Sequence, residues 1–474
     1  MKRMLGRLID KVVDYYRGWT VFLDEGLEEY LEAPWKLKSA IAVTLEGILV
    51  ILLTSASQSP GTLILTVVPL LIIIAWLPVL DKLAEARVIH GLVDKELAFF
   101  IVMASATCRT GLEPLELLRY VSESRVFKGF RVIGEKFTCL EKIIGVGDAL
   151  RIVSSVLKGM ARTFFIEYSS ALSTGTVIEY LMRSAGEAVK DAWSGLSRIV
   201  EKRSELGVLI AVVASVMPAL TVGFTILMDA YILYYTLIPI LILGVVGSTI
   251  IPNYPLPFKV LIEKSVGKVL SLMYIVGVVL LTYPLTYMVL TDRMMEKRIL
   301  LYLGAASMIL GTPGFILILT ALFKTFELRN VLEDVSVNVR TYRSLIFVDD
   351  ELLSHLGSKP IRTWLIDYVY ETLRFHRSLG EVEPDVYTLF TVFTNDLLRT
   401  LRSYLAGLTI MITAILSTPF LIKTLLTIAP FTSITLQVAY SSILATGFIS
   451  SKLMLGRNIS TLVPGLLVFI YGLL

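Results

Sequence analysis

The sequence predicts an all-α polytopic membrane protein, with about nine transmembrane helices and two cytoplasmic helical-bundle domains. Three observations predict it. The chain has 474 residues, of which 55% are hydrophobic and only 18% charged, and its mean hydropathy is +0.74; soluble proteins carry charge nearer about 25%. Several apolar runs approach or exceed about 20 residues, the length that spans a bilayer as a helix. Between these runs lie two charge-rich blocks whose apolar positions recur at three- and four-residue spacing, as on a helix that buries one face.

Residues 1–38 read as a cytoplasmic N-terminal segment. They hold seven basic and seven acidic side chains, and that acidic content is unlike a cleavable signal peptide. Residues 39–80 hold transmembrane helices 1 and 2, near 39–57 and 61–80, separated by the turn Ser57-Gln58-Ser59-Pro60-Gly61. The character then changes. Residues 81–204 carry 18 basic and 15 acidic side chains and read as a helical domain with enough chain for its own core. An amphipathic run opens at Asp94 and continues through Ala104 and Cys108; Thr110-Gly111 breaks it, and Glu113-Pro114 restarts a helix. Further helices are expected near 132–144, 147–157, 160–173 and 176–200.

Residues 205–321 hold helices 3–6, near 206–227, 231–251, 270–290 and 300–321. The second block, 322–402, has 10 basic and 12 acidic side chains, with its clearest helices at 361–377 and 384–402. Residues 403–474 hold helices 7–9, near 404–422, 426–448 and 459–474. The last is short, so eight spans is the alternative count. If both blocks are cytoplasmic, the loops 252–269 and 449–458 join them, and 40 of the 44 basic residues fall inside, as the positive-inside rule asks. The N-terminus is then cytoplasmic, and the C-terminus external with nine spans. An internal repeat is visible by shape. Phe164 to Gly175, a helix to Arg203 and a span are paralleled by Tyr368 to Gly380, a helix to Arg402 and a span.

This order of elements, together with Glu96-Leu97-Ala98-Phe99-Phe100 through Ala104, Arg109, Gly111-Leu112 and Glu116-Leu117-Leu118, resembles the archaeal branch of the type II secretion system F-domain proteins. Ser173-Thr174-Gly175 followed by Leu181 and Ala185 resembles that domain's closing helix pair. As architecture the resemblance covers nearly the whole chain, and as motif about 96–200; in the second block only 365–402 matches. The family comprises membrane platform proteins of type IV pili and archaella. The resemblance implies a non-enzymatic homodimer in the cell membrane. It would couple a cytoplasmic hexameric secretion ATPase to insertion of pilin subunits and filament assembly, with no cofactor and no nucleic-acid partner. It does not distinguish pilus from archaellum.

Individual residues bear on partners. Glu46 lies inside the first predicted span, where an acid is costly and is either a functional contact or a polar contact within the bundle. Arg109, Arg119, Arg125, Lys128, Arg131 and Lys136 make the first block locally basic. They read as a solvated surface, an ATPase-docking face or a contact with membrane lipid headgroups. The cluster Asp349-Asp350-Glu351 is a candidate partner contact of opposite sign. Arg198, Lys202 and Arg203, with Arg399 and Arg402, precede spans 3 and 7 and are expected to anchor at headgroups. If both helices continue into their spans, motion of the cytoplasmic domains would travel into the membrane.

Enzymatic readings find little support. Cys108 and Cys139 are the only cysteines, too few for a cysteine-built metal site or a disulfide framework. His90, His355 and His376 are far apart and form no helical ligand pair; His90 and His376 are expected to face solvent or a local hydrogen bond, and His355 lies in the second charged block. A phosphate-binding Gly-Lys-Ser/Thr loop is absent from the sequence, as is any spacing that suggests a Ser–His–acid triad. The alternative from another class is a polytopic transporter or channel, which the span count favours and the nearly uncharged spans oppose.

Overall fold

The structure is a computed structural model, and it describes residues 11–16, 44, 83, 86–105, 114–224, 251, 253–291, 295–343, 361–379, 384–428 and 433–474. It is mostly helical. The chain divides into two compact units, Met1–Val189 and Lys190–Leu474.

In the first unit, α1 covers 86–105. It is followed by α2 (Pro114–Ser122), α3 (Lys128–Ile144), α4 (Val146–Val156) and α5 (Gly159–Thr174), and by the start of α6 (Val177–Phe224). Pro114 opens α2 where its missing N–H costs nothing, with Glu116 in the first turn against the helix dipole. Gly145 (φ 85°) separates α3 from α4, and Gly175 (φ 73°) ends α5 in the left-handed conformation that glycine adopts without a Cβ clash. These helices lie close to those expected from the sequence. The unit closes over an aromatic core. Phe100 of α1 stacks on Phe130 of α3 at 4.2 Å between centroids, and Phe164, Phe165 and Tyr168 of α5 complete it. Helices meet there at backbone distance: a Cβ on Gly129 would lie 2.7 Å from the Val93 nitrogen, and one on Gly134 2.4 Å from the Leu118 oxygen.

The second unit contains the rest of α6, β1 (Val260–Ile262), α7 (Lys264–Thr291), α8 (Lys297–Lys324), α9 (Leu328–Tyr342), β2 (Ile361–Thr363), α10 (Trp364–Leu379), α11 (Pro384–Leu416), α12 (Thr418–Ile428), α13 (Ser433–Leu455) and α14 (Leu462–Leu473). The strands qualify the all-helical expectation. They pair antiparallel, Val260 with Thr363 and Ile262 with Ile361, and tie the 252–269 loop to the second charged block. α9, which the sequence reading did not single out, follows α8 after one 3-10 turn and buries Leu328, Val331, Leu332, Val335 and Val339. That is one apolar face at helical spacing, and it packs on α11.

Among the described residues, three helices are long and apolar enough to cross a membrane: Lys264–Met288, Lys297–Tyr342 and Leu436–Leu455; Leu462–Leu473 is apolar but shorter. Within its most apolar stretch the Leu436–Leu455 helix is 89% buried, against 22% for Lys264–Met288. α13 is therefore the central helix and α7 a peripheral one. α8 and α14 touch through glycine. A Cβ on Gly304 would lie 2.8 Å from the Phe469 nitrogen, and one on Gly311 2.1 Å from the Leu462 nitrogen. Hydroxyls bond across the contact: Ser460 donates to the Gly311 carbonyl (2.7 Å) and Thr461 to the Ser307 carbonyl (2.8 Å). Small residues and hydroxyl bonds are how helices associate where lipid leaves no hydrophobic drive between them.

Two expected spans have different limits. The seventh, near 404–422, is broken at Ser417, because Pro419 in the first turn of α12 cannot donate back to an extended α11. The eighth, near 426–448, lies farther along, at Ser433–Leu455, which places Lys452 in a helix instead of the predicted loop. The spans expected at 39–57 and 61–80 lie outside the described residues apart from residue 44, as does nearly all of 231–251.

Candidate functional site

The predicted partner-contact residues divide. Glu46, Arg109, Asp349, Asp350 and Glu351 lie outside the described residues. Arg119, on α2, is exposed and makes a two-pronged pair with Glu141 of α3, its Nε donating at 3.2 Å. Arg131 pairs with Glu135 one turn along α3, at 3.5 Å. Arg125 and Lys128 are exposed at the start of α3, and Lys136 is half-buried. The structure thus brings these five together around α2 and α3, with two of them partly neutralised by acids of the same block.

Arg203 departs from the expectation. Arg198 and Lys202 are both exposed, but Arg203 is fully buried, so it does not reach headgroups. Its position on α6 points it at the end of α13. One Nη donates to the carbonyls of Lys452 (2.9 Å) and Leu453 (2.7 Å), and Nε donates to the Tyr404 hydroxyl of α11 (2.5 Å). Tyr404 in turn donates to the Leu453 carbonyl at 3.0 Å. Tyr254, from the segment before β1, donates to the Met454 carbonyl at 2.5 Å and presents its ring to the guanidinium 4.2 Å from the centroid. Gly456 (φ 69°) closes the helix by donating its N–H to Lys452 (2.9 Å). Lys452 Nζ bonds the Asn253 side chain.

This geometry has a simple physical origin. The last carbonyls of a helix lack partners within it and carry the negative end of its dipole. A guanidinium presents planar donors and stacks on aromatic faces. One buried cation therefore caps α13 and joins it to α6, α11 and the 251–258 segment. Sequence reasoning placed Arg203 at a helix–membrane junction but missed its burial, because the partners are backbone atoms some 249 and 250 residues away.

Beside Arg203, a groove of about 650 Å³ runs between α6 and α11, lined by Trp193, Glu201, Asp396, Arg399 and Tyr404 among others. It is open and of mixed charge. Among the described residues no group of three or more His, Cys, Asp or Glu side chains could hold a metal ion. The two described histidines, His90 and His376, are buried and do not face solvent; His376 lies 5.9 Å from the rings of Phe375 and Tyr387.

One buried acid stands out in the first unit. Glu96 of α1 accepts the backbone N–H groups of Lys128 (3.0 Å), Gly129 (2.9 Å) and Phe130 (3.1 Å), and so caps the start of α3 from another helix. Burial outweighs these donors and the nearby Lys128 charge, and pushes its carboxyl up to about 7.

The chain matches no protein-family model, no curated protein and no solved structure.

Proposed function

We propose that this chain is the membrane platform subunit of an archaeal type IV pilus-like filament machine, coupling a cytoplasmic hexameric ATPase to pilin insertion. The observation that carries the reading is the repeated hairpin whose second helix runs on without a break. α5 and α10 are 16 residues each, and each is followed by a much longer helix, α6 of 48 residues and α11 of 33. The copies share internal detail. Phe164 stacks on Tyr168 (6.1 Å, 8°) as Trp364 stacks on Tyr368 (5.4 Å, 6°), and a buried tyrosine, Tyr180 or Tyr387, sits in the first turn of each long helix. A helix rises about 1.5 Å per residue, so both long helices reach well beyond their hairpins.

Sidedness supports the same reading. Two points of chain in direct contact at the membrane surface must be joined by an even number of crossings. The β1–β2 pairing and the Arg203 contacts with 254, 404 and 452–453 support that parity. Two spans between each neighbouring pair satisfy it, and both charged blocks then share one face, which the basic residues favour as cytoplasmic. In this reading the ATPase moves the two hairpins, α6 and α11 carry the motion inward, and the Arg203 cluster makes the central helix α13 follow.

The test is co-purification from native membranes. The platform should retain a hexameric ATPase, less so as salt rises, and Arg125→Glu with Lys128→Glu should weaken the association at least tenfold, since surface charge tunes such docking. Small-solute flux in liposomes without any bound ATPase would overturn the proposal in favour of a transporter.

A further inference from the structure

We propose that a groove at the start of α7 binds the headgroup of an anionic phospholipid. The groove, about 530 Å³, carries three cations, Lys264, Lys268 and Arg457, against one acid, Glu263. Lys264 and Lys268 are one helical turn apart and both exposed, on the same face of α7. Arg457 comes from the segment after α13, where its Nη1 reaches the Val260 carbonyl at 3.4 Å. Two separate stretches of chain thus bring positive charge to one concavity.

What lies beyond the groove selects a lipid over a free anion. Leu272 and Ile275 line its far end, and the same face of α7 continues through Val279 to Tyr283. These side chains are 64%, 58%, 59% and 53% exposed, on a helix long and apolar enough to span the bilayer. Charge at the helix start and an uncovered apolar stripe above it match a phosphodiester with acyl chains attached. Inorganic phosphate would use only the first half. A zwitterionic headgroup would gain little from a net excess of two cations. Basic pockets at membrane-helix ends are a general means of holding anionic headgroups. The inference depends on α7 lying in the membrane and is independent of the filament-platform proposal.

The full chain, purified in detergent, is titrated with phosphatidylglycerol or phosphatidylcholine and retention is read by native mass spectrometry. Phosphatidylglycerol should be held at least tenfold more tightly, and millimolar inorganic phosphate should not displace it. Each neutralised cation should weaken retention about fivefold, so Lys264→Gln, Lys268→Gln and Arg457→Gln together should cost on the order of a hundredfold and leave phosphatidylcholine unaffected. Glu263→Gln should strengthen retention about fivefold, a gain that misfolding cannot imitate. Equal retention of the two lipids, or an unchanged triple variant, would overturn the proposal. Displacement by phosphate would show an anion site that takes no lipid.

Discussion

Replacing Arg203 separates the effect of its charge from that of its shape. Lysine at this position keeps a buried cation but loses the planar fork that reaches Tyr404 and two carbonyls at once. At least two charge-assisted bonds disappear, at about 1.5 kcal/mol each at the low end, and the stacking on Tyr254 weakens. Arg203→Lys should therefore cost about 3 kcal/mol or somewhat more. Methionine is the opposite case. It removes the charge, and the carbonyls it abandons retain partners: Lys452 the Gly456 N–H, Leu453 the Tyr404 hydroxyl. Relief from desolvating a guanidinium offsets part of the loss, so Arg203→Met should cost only about 1–2 kcal/mol. The assay is equilibrium unfolding of the full chain in mixed micelles, with Tyr254→Leu added to close a double-mutant cycle. A coupling of about 1–2 kcal/mol between Arg203 and Tyr254 is expected. Tolerance of lysine within about 1 kcal/mol, or methionine proving worse than lysine, would refute the argument that geometry rather than charge makes the cluster.

Three further outcomes follow from other parts of the structure. Glu96 binds its proton more tightly when folded, at about 7 against an ordinary 4.5. Its contribution is complete below about pH 4.5 and is lost as pH rises toward 7, by up to about 3 kcal/mol; Glu96→Gln should flatten that slope in thermal unfolding from pH 5 to 8, and parallel profiles for the two proteins would exclude the assignment. Gly311→Ala places a methyl 2.1 Å from the Leu462 nitrogen, forcing α8 and α14 apart at a cost of about 1–3 kcal/mol or more, whereas Gly186→Ala, with nothing within 4 Å, should stabilise α6 by up to about 1 kcal/mol in the same unfolding measurement.

The helices of the first block were legible because their signals are local. Pro114 and Gly175 punctuate amphipathic runs, and α3, α4 and α5 fall within a few residues of their expected places. The break at Ser417 was equally local, since Pro419 is visible in the sequence, but a uniformly apolar run hid it. α13 was misplaced for a related reason. Serine and threonine lower its hydropathy, yet Ser442, Thr446 and Ser450 bond back to carbonyls one turn earlier and are buried without penalty. The Arg203 cluster was illegible beyond its first member. An arginine among other basic residues before an apolar run reads as a headgroup anchor, and only three-dimensional proximity reveals carbonyls as its partners. The β1–β2 pair was hidden too, since three-residue strands carry almost no periodic signal.

The bare-backbone contact between α8 and α14 has a consequence for biosynthesis. Gly311 and Ser460, which bond each other, are 149 residues apart. At a synthesis rate of about 5–20 residues per second, α8 emerges roughly 7–30 s before its match exists. During that interval its glycine strip offers any passing small-residue helix the same close fit. Correct assembly therefore depends on that strip staying vacant until the late helix arrives.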